Sequence, residues 1–152
     1  MATRGTADGV SRSPELARVI AFFETIDEAS VERLDDLYAE GAHFKDPFND
    51  VRGTQAIRHV FERMFEQVES PRFHVIGAMQ VGTGAFLIWE FRFRFKRFDT
   101  GSVQTIRGAS HLDFAADGRV ARHRDYWDAA EELYEKLPVV GLLMRWLKRR
   151  VG

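Results

Sequence analysis

Residues 85–98 read AFLIWEFRFRFKRF, and their central part alternates strictly. Trp89, Phe91, Phe93 and Phe95 take one set of positions; Glu90, Arg92, Arg94 and Lys96 take the other. Successive side chains of a strand point to opposite faces, so this pattern predicts a long strand with one aromatic and one charged face. Such a strand cannot stand alone. Its backbone groups need neighbouring strands, and a row of large rings needs a cover. The rest of the chain must supply both.

The neighbouring strands follow the same period. Residues 73–81, 102–114 and 119–128 read as strands, separated by turn signals at 82–84 (Gly-Thr-Gly), 99–101 (Asp-Thr-Gly) and 116–118 (Ala-Asp-Gly). The cover comes earlier. Leu16, Val19, Ile20, Phe23 and Ile26 recur at helical spacing behind Ser13 as N-cap and Pro14 in the first turn. Val31, Leu34, Leu37 and Tyr38 predict a second, shorter helix that Gly41 ends. Ile57, Val60, Phe61, Met64, Phe65 and Val68 predict a third, capped by Thr54 and stopped by Pro71. Between these two, AHFKDPFNDVRG reads as a short extended piece and a turn. Helices followed by an antiparallel meander of four to six strands define an α+β fold, its helices on one face of a strongly curved sheet. Such a cone offers a pocket at its mouth. Residues 1–13 read as a disordered leader and 14–136 as the domain. A short helix over 129–136 leads into a basic amphipathic helix over 137–152.

Composition narrows the chemistry. The chain of 152 residues has no cysteine, which excludes disulfides, thiolate nucleophiles and Cys-ligated metals. Twenty-two basic against 23 acidic side chains leave a net charge of −1, unsuited to a dedicated nucleic-acid binder. No apolar run approaches the ~20 residues of a membrane span, and no signal peptide opens the chain, so a cytoplasmic location is expected. No His-x-His pair, glycine-rich phosphate loop or serine nucleophile turn occurs; neither metal nor cofactor is expected. Thirteen Phe with three Trp and three Tyr suit either a phenylalanine-rich core or an aromatic wall around a hollow.

The segments LYAEGAHFKDPFNDVRGTQAIRHVF and GASHLDFAADGRVARHRDYWD resemble the SnoaL-like, nuclear-transport-factor-2-like superfamily, which includes ketosteroid isomerase and limonene epoxide hydrolase. The resemblance covers about 14–136 and implies a cone-shaped cystatin-like roll. It also implies site residues. Asp46, in FKDPFND, sits where the isomerase has its general base; Phe22 and Ser110 sit where that enzyme has its two oxyanion donors. Phenylalanine cannot donate, so a true steroid isomerase is disfavoured. Asp125, in HRDYWD, sits where the epoxide hydrolase has one of its two aspartates, but the Arg-x-Asp that completes that set is replaced by Glu90-x-Arg92. His123 and Trp127 share a face with Asp125, and His43 and Phe44 lie beside the Asp46 turn.

Strand pattern alone makes the aromatic ladder core and its charges a solvated face. The resemblance implies the reverse, with Glu90 and Arg92 turned into the pocket. The latter is the working expectation, and it makes Phe91, Phe93 and Phe95 the core of a homodimer interface on the outer sheet face. Two functions remain open. One is a small-molecule enzyme of the ketosteroid-isomerase-like group, with Asp46 or Asp125 as proton-transfer base, His123 assisting, and Phe22, Phe44, Glu90, Arg92, Ser110 and Trp127 holding a small, mostly apolar substrate. The other is a non-catalytic binding or dimerisation domain. The tail, with Arg145, Lys148, Arg149 and Arg150 and no acid, suits a membrane surface, a partner groove or the protein's own sheet.

Overall fold

A computed structural model describes residues 12–97, 99–134 and 138–151. The expected leader over 1–13 lies almost wholly outside them. Helix α1 (Pro14–Glu24) begins as its sequence dictates: Ser13 accepts from the Leu16 amide at 3.2 Å, and Leu16, Val19, Ile20 and Phe23 are buried. Two single-turn helices follow, α2 (Glu28–Val31) and α3 (Leu34–Leu37). A reciprocal pair between Asp27 and Ser30 caps α2.

Tyr38 fits the helical stripe by spacing, yet it opens strand β1 (Tyr38–Lys45). The stretch expected as an extended piece and turn is a hairpin of β1 with β2 (Asp50–Arg52). Gly53, at φ 88°, then swings the chain into α4 (Thr54–Gln67); it occupies the N-cap position assigned to Thr54, and no side chain caps this helix. Helix α4 ends at Gln67, before Pro71. The proline sits inside β3 (Val68–Val81), next to a bulge between Glu69 and Arg72.

Strands β4 (Gly84–Phe95), β5 (Gln104–Phe114) and β6 (Val120–Tyr126) complete a six-stranded sheet in the order β2-β1-β6-β5-β4-β3. All neighbours are antiparallel except β1 and β6, which run parallel, so the sheet is mixed rather than wholly antiparallel. The core lies between the sheet's inner face and the helices: Leu16, Leu34, Ile57, Leu112 and Val120 are almost wholly enclosed. Helix α5 (Ala129–Glu132) and helix α6 (Pro138–Val151) follow β6.

The long alternating strand corrects one expectation outright. Trp89, Phe91 and Phe93 are buried on the inner face, with Phe95 half-buried beside them. Arg92 and Arg94 are exposed outside, and Glu90 pairs there with Arg92 at 2.7 Å and Arg107 at 3.7 Å. Neither Glu90 nor Arg92 enters the pocket, and the aromatic ladder cannot form a dimer core. The physics is one-sided. Burying rings of roughly 150–250 Å² each is favourable, whereas a buried ion costs several kcal/mol unless it is well paired.

Candidate active site

The inner face of the sheet and α4 enclose a cavity of about 520 Å³. Small-molecule sites span roughly 300–1,000 Å³. The wall is a run of rings. Phe73 stacks on Phe91 at 4.4 Å, Phe91 on Phe93 at 5.0 Å, and Phe93 meets Phe95 edge-on at 5.0 Å. Phe44 from β1 and Trp127 after β6 close other sides. Few polar groups interrupt this surface: Asp46, Asn49, Arg63, Gln67 and Asp125.

Asp125 is the centre of a largely buried hydrogen-bonded chain. Its Oδ1 accepts from the Ser110 hydroxyl at 2.5 Å and from His123 Nε2 at 2.6 Å. Trp89 Nε1 donates to Ser110 Oγ at 2.8 Å, which leaves the hydroxyl hydrogen for Asp125. On the far side, the Tyr38 hydroxyl meets His123 Nδ1 at 2.6 Å. The order Tyr38–His123–Asp125–Ser110–Trp89 fixes the proton positions. Nε2 faces a carboxylate and carries hydrogen; Nδ1 then accepts from tyrosine. Burial, and secondarily the Asp125 charge, push the Tyr38 phenol well above its ordinary range, so it remains a donor. His123 is also wedged edge-on against Phe23 and Phe44, which fixes the ring plane. Sequence pairs place these groups: Ser110 lies directly across from Asp125 in the β5–β6 ladder, and His123 shares Asp125's strand face.

Asp46 lines the same cavity but has another task. Its Oδ1 accepts the backbone N–H groups of Phe48 and Asn49, each at 2.7 Å, and both its oxygens meet Asn49 Nδ2 at 2.9 Å. The carboxylate ties the Asp-Pro-Phe-Asn turn together. Asp46, expected as a base alongside Asp125, is committed through both oxygens to this turn. The remaining assignments divide. Phe22 packs on its neighbour Phe23 and is not among the cavity's lining residues, so a tyrosine's role cannot be transferred to it. Ser110 turns its hydroxyl to Asp125 rather than to a ligand. His43 pairs with Asp50 on the outer hairpin, where that hydrogen bond lowers the Asp50 carboxyl below its ordinary range. Among the described residues no three His, Asp or Glu side chains converge as metal ligands would.

Sequence reasoning missed Tyr38, Trp89 and Arg63. Tyr38 hid in a helical stripe and Trp89 in a ladder assigned to the wrong face. Arg63 lies on α4 and lines the cavity, with Nη2 donating to Asn49 Oδ1 at 3.1 Å. Its signal was available: it stands three residues beyond Val60 and one before Met64, at the edge of the apolar stripe.

A helix-backed mixed sheet, curled around an aromatic cavity with a single relayed carboxylate, defines a class of small α+β pocket proteins. The profile of the SnoaL-like domain matches residues 19–123, and the chain belongs to that family. Solved structures share the fold. A hypothetical protein with a ketosteroid isomerase-like fold from Catenulispora acidiphila DSM 44928, in complex with trimethylamine, superposes with a TM-score of 0.69 at 14% identity, covering 81% of this chain and 92% of that one. A candidate SnoaL-like polyketide cyclase from Shewanella denitrificans OS-217 gives 0.66 at 20% identity, over 80% and 98% of the two chains. An LEH-like epoxide hydrolase from M. tuberculosis gives 0.65 at 14% identity, over 88% and 91%. No curated protein matches the sequence.

Proposed function

We propose that this SnoaL-like protein is a cytoplasmic enzyme that moves a proton on a small, mostly apolar substrate, with Asp125 as the base. One observation carries the reading: a carboxylate, one oxygen held by Ser110 and His123, opens into a cavity walled by rings. Asp125 Oδ2 has no hydrogen-bond partner among the described residues. It is the oxygen that would accept a proton from a carbon beside a carbonyl. Holding Oδ1 fixes the direction of the other lone pairs, and His123 keeps its bond to Oδ1 in either protonation state of the acid. The electron pair of the broken C–H bond moves to the substrate's carbonyl oxygen. Arg63 is the cationic side chain that lines the cavity among the described residues, and we assign it to that developing charge. Asn49 and Gln67 lie beside it, so a polar handle belongs at that end and the apolar body against the β4 rings.

The alternative reading is a ligand-binding domain without chemistry, favoured by the absence of the isomerase's two donors at Phe22 and Ser110. Deuterium exchange separates the two. Cyclic ketones that raise the melting temperature are incubated with the protein in heavy water, and loss of the proton next to the carbonyl is followed by NMR. General-base catalysis contributes about 10²–10⁴-fold, so Asp125→Asn should slow exchange by at least about a hundredfold while the ketone still binds. Binding with no exchange in the wild type would establish the binding domain instead.

The homodimer expected on the outer sheet face remains part of the proposal, with different residues. Ile76, Met79, Phe86, Ile88 and Tyr126 are exposed there. A second copy that covers this patch would bury it without touching the cavity.

A further inference from the structure

Helix α6 carries a second surface that the cavity does not explain. Leu142, Leu143, Trp146 and Leu147 are 64%, 54%, 47% and 39% exposed, and Val151 is 87% exposed. At 100° per residue the first four fall within an arc of about 140°. Arg145 and Lys148 occupy the opposite side of the wheel, and Arg149 flanks the arc beside Leu142. Arg150 projects from the apolar arc one turn beyond Trp146, with its guanidinium 5.1 Å from that ring's centroid. Residues 138–152 contain no acid and carry a charge of +4, against −5 for the remainder of the chain.

We propose that α6 lies in the surface of an anionic phospholipid membrane. The helix has 14 residues, about 21 Å, and no described helix is long and apolar enough to cross a bilayer. A membrane interface supplies the two things this helix presents partners for: hydrocarbon beneath the leucines and a sheet of negative charge along the basic side. Tryptophan favours that same depth. The charge complementarity selects the occupant. The net charge of +4 over residues 138–152 meets its counterpart in anionic headgroups, which an apolar protein groove does not supply. The anchor also has a consequence for the site. Leu133 lines the cavity and Tyr134 packs against Phe48 at 5.8 Å. Four Cα steps separate Tyr134 from Pro138, a reach of at most about 14 Å. The cavity rim is thereby tethered to the bilayer surface, where apolar substrates concentrate. That consequence rests on the proposed function; binding of α6 to lipid does not.

The test is co-sedimentation of the full chain with phosphatidylcholine vesicles and with vesicles of equal phosphatidylcholine and phosphatidylglycerol. The protein should pellet with the anionic vesicles, remain in the supernatant with the neutral ones, and be released in 1 M salt, where the screening length is about 3 Å. Replacing Arg145, Lys148 and Arg149 by Gln together should weaken binding on the order of a hundredfold. Trp146→Ala with Leu147→Ser should weaken it while the charge is kept. Both variants should melt like the wild type and exchange ketone protons at the wild-type rate, which separates this proposal from the proposed chemistry. Wild type that stays in the supernatant with anionic vesicles at low salt would overturn the proposal. So would equal binding to neutral vesicles, or a triple variant that binds as well as wild type.

Discussion

Tyr38 shows how much one hydroxyl organises. It is fully buried, and its proton sits on the far side of His123 from Asp125. Its folded-state value is raised, so between the ordinary tyrosine value near 10 and that raised value the folded chain binds more protons than the unfolded one. Tyr38 therefore contributes stability that is complete below about pH 10 and is lost as pH rises above it. Urea unfolding should show Tyr38→Phe to be less stable at neutral pH by about 1–3 kcal/mol, because His123 Nδ1 loses its donor. The same variant should lose less stability than wild type between pH 9 and pH 11. An unchanged alkaline slope would remove Tyr38 from this account. Ser110→Ala should act differently. It releases Asp125 from one donor and leaves Trp89 Nε1 without its acceptor, so exchange should fall while His123 still holds the carboxylate.

At the scale of elements, β4 decides what the pocket is. Phe91 is inside and Arg92 outside, so Phe91→Ala should destabilise by about 3 kcal/mol and Arg92→Gln by no more than about 0.5 kcal/mol, read from chemical denaturation. Equal effects would contradict the orientation. Gly108 on β5 adds a sharper test. A Cβ there would stand 2.5 Å from the Trp89 ring, which is buried and rigid. Gly108→Ala should cost about 1–3 kcal/mol and push the indole off Ser110, visible as a shift in Trp fluorescence. The alternation along β4 was legible because strand geometry has period two. Its direction was equally legible: rings bury and charges do not. The resemblance to relatives with an inward arginine overrode that rule, and the rule was right. The Asp46 turn was legible in part. Asp-Pro followed by Asn-Asp announces a turn held by a side chain, but a resemblance speaks for the position of a carboxylate and not for which amides it accepts. Ser110, His123 and Asp125 were found; that they form one chain depends on cross-strand register, which no periodicity encodes. Tyr38 stands four residues beyond Leu34, so its spacing suited a helix that the chain had already left.

For the whole molecule, the inward ladder moves the interface argument to a different patch. Light scattering should give about twice 17.5 kDa for the wild type, and Ile88→Lys should give the monomer. A wild-type monomer at micromolar concentration would withdraw the dimer and leave the cavity untouched. The central claim of the proposed function is that Asp125 works on a molecule held among the β4 rings. A crystal structure of a complex with a ketone that undergoes exchange tests this most directly. The account predicts the ligand's acidic carbon about 3–3.5 Å from Asp125 Oδ2, its carbonyl oxygen toward Arg63, and its body against Phe91 and Phe93. A ligand seated elsewhere, or seated in the cavity with Asp125 turned away from every exchangeable carbon, would contradict it.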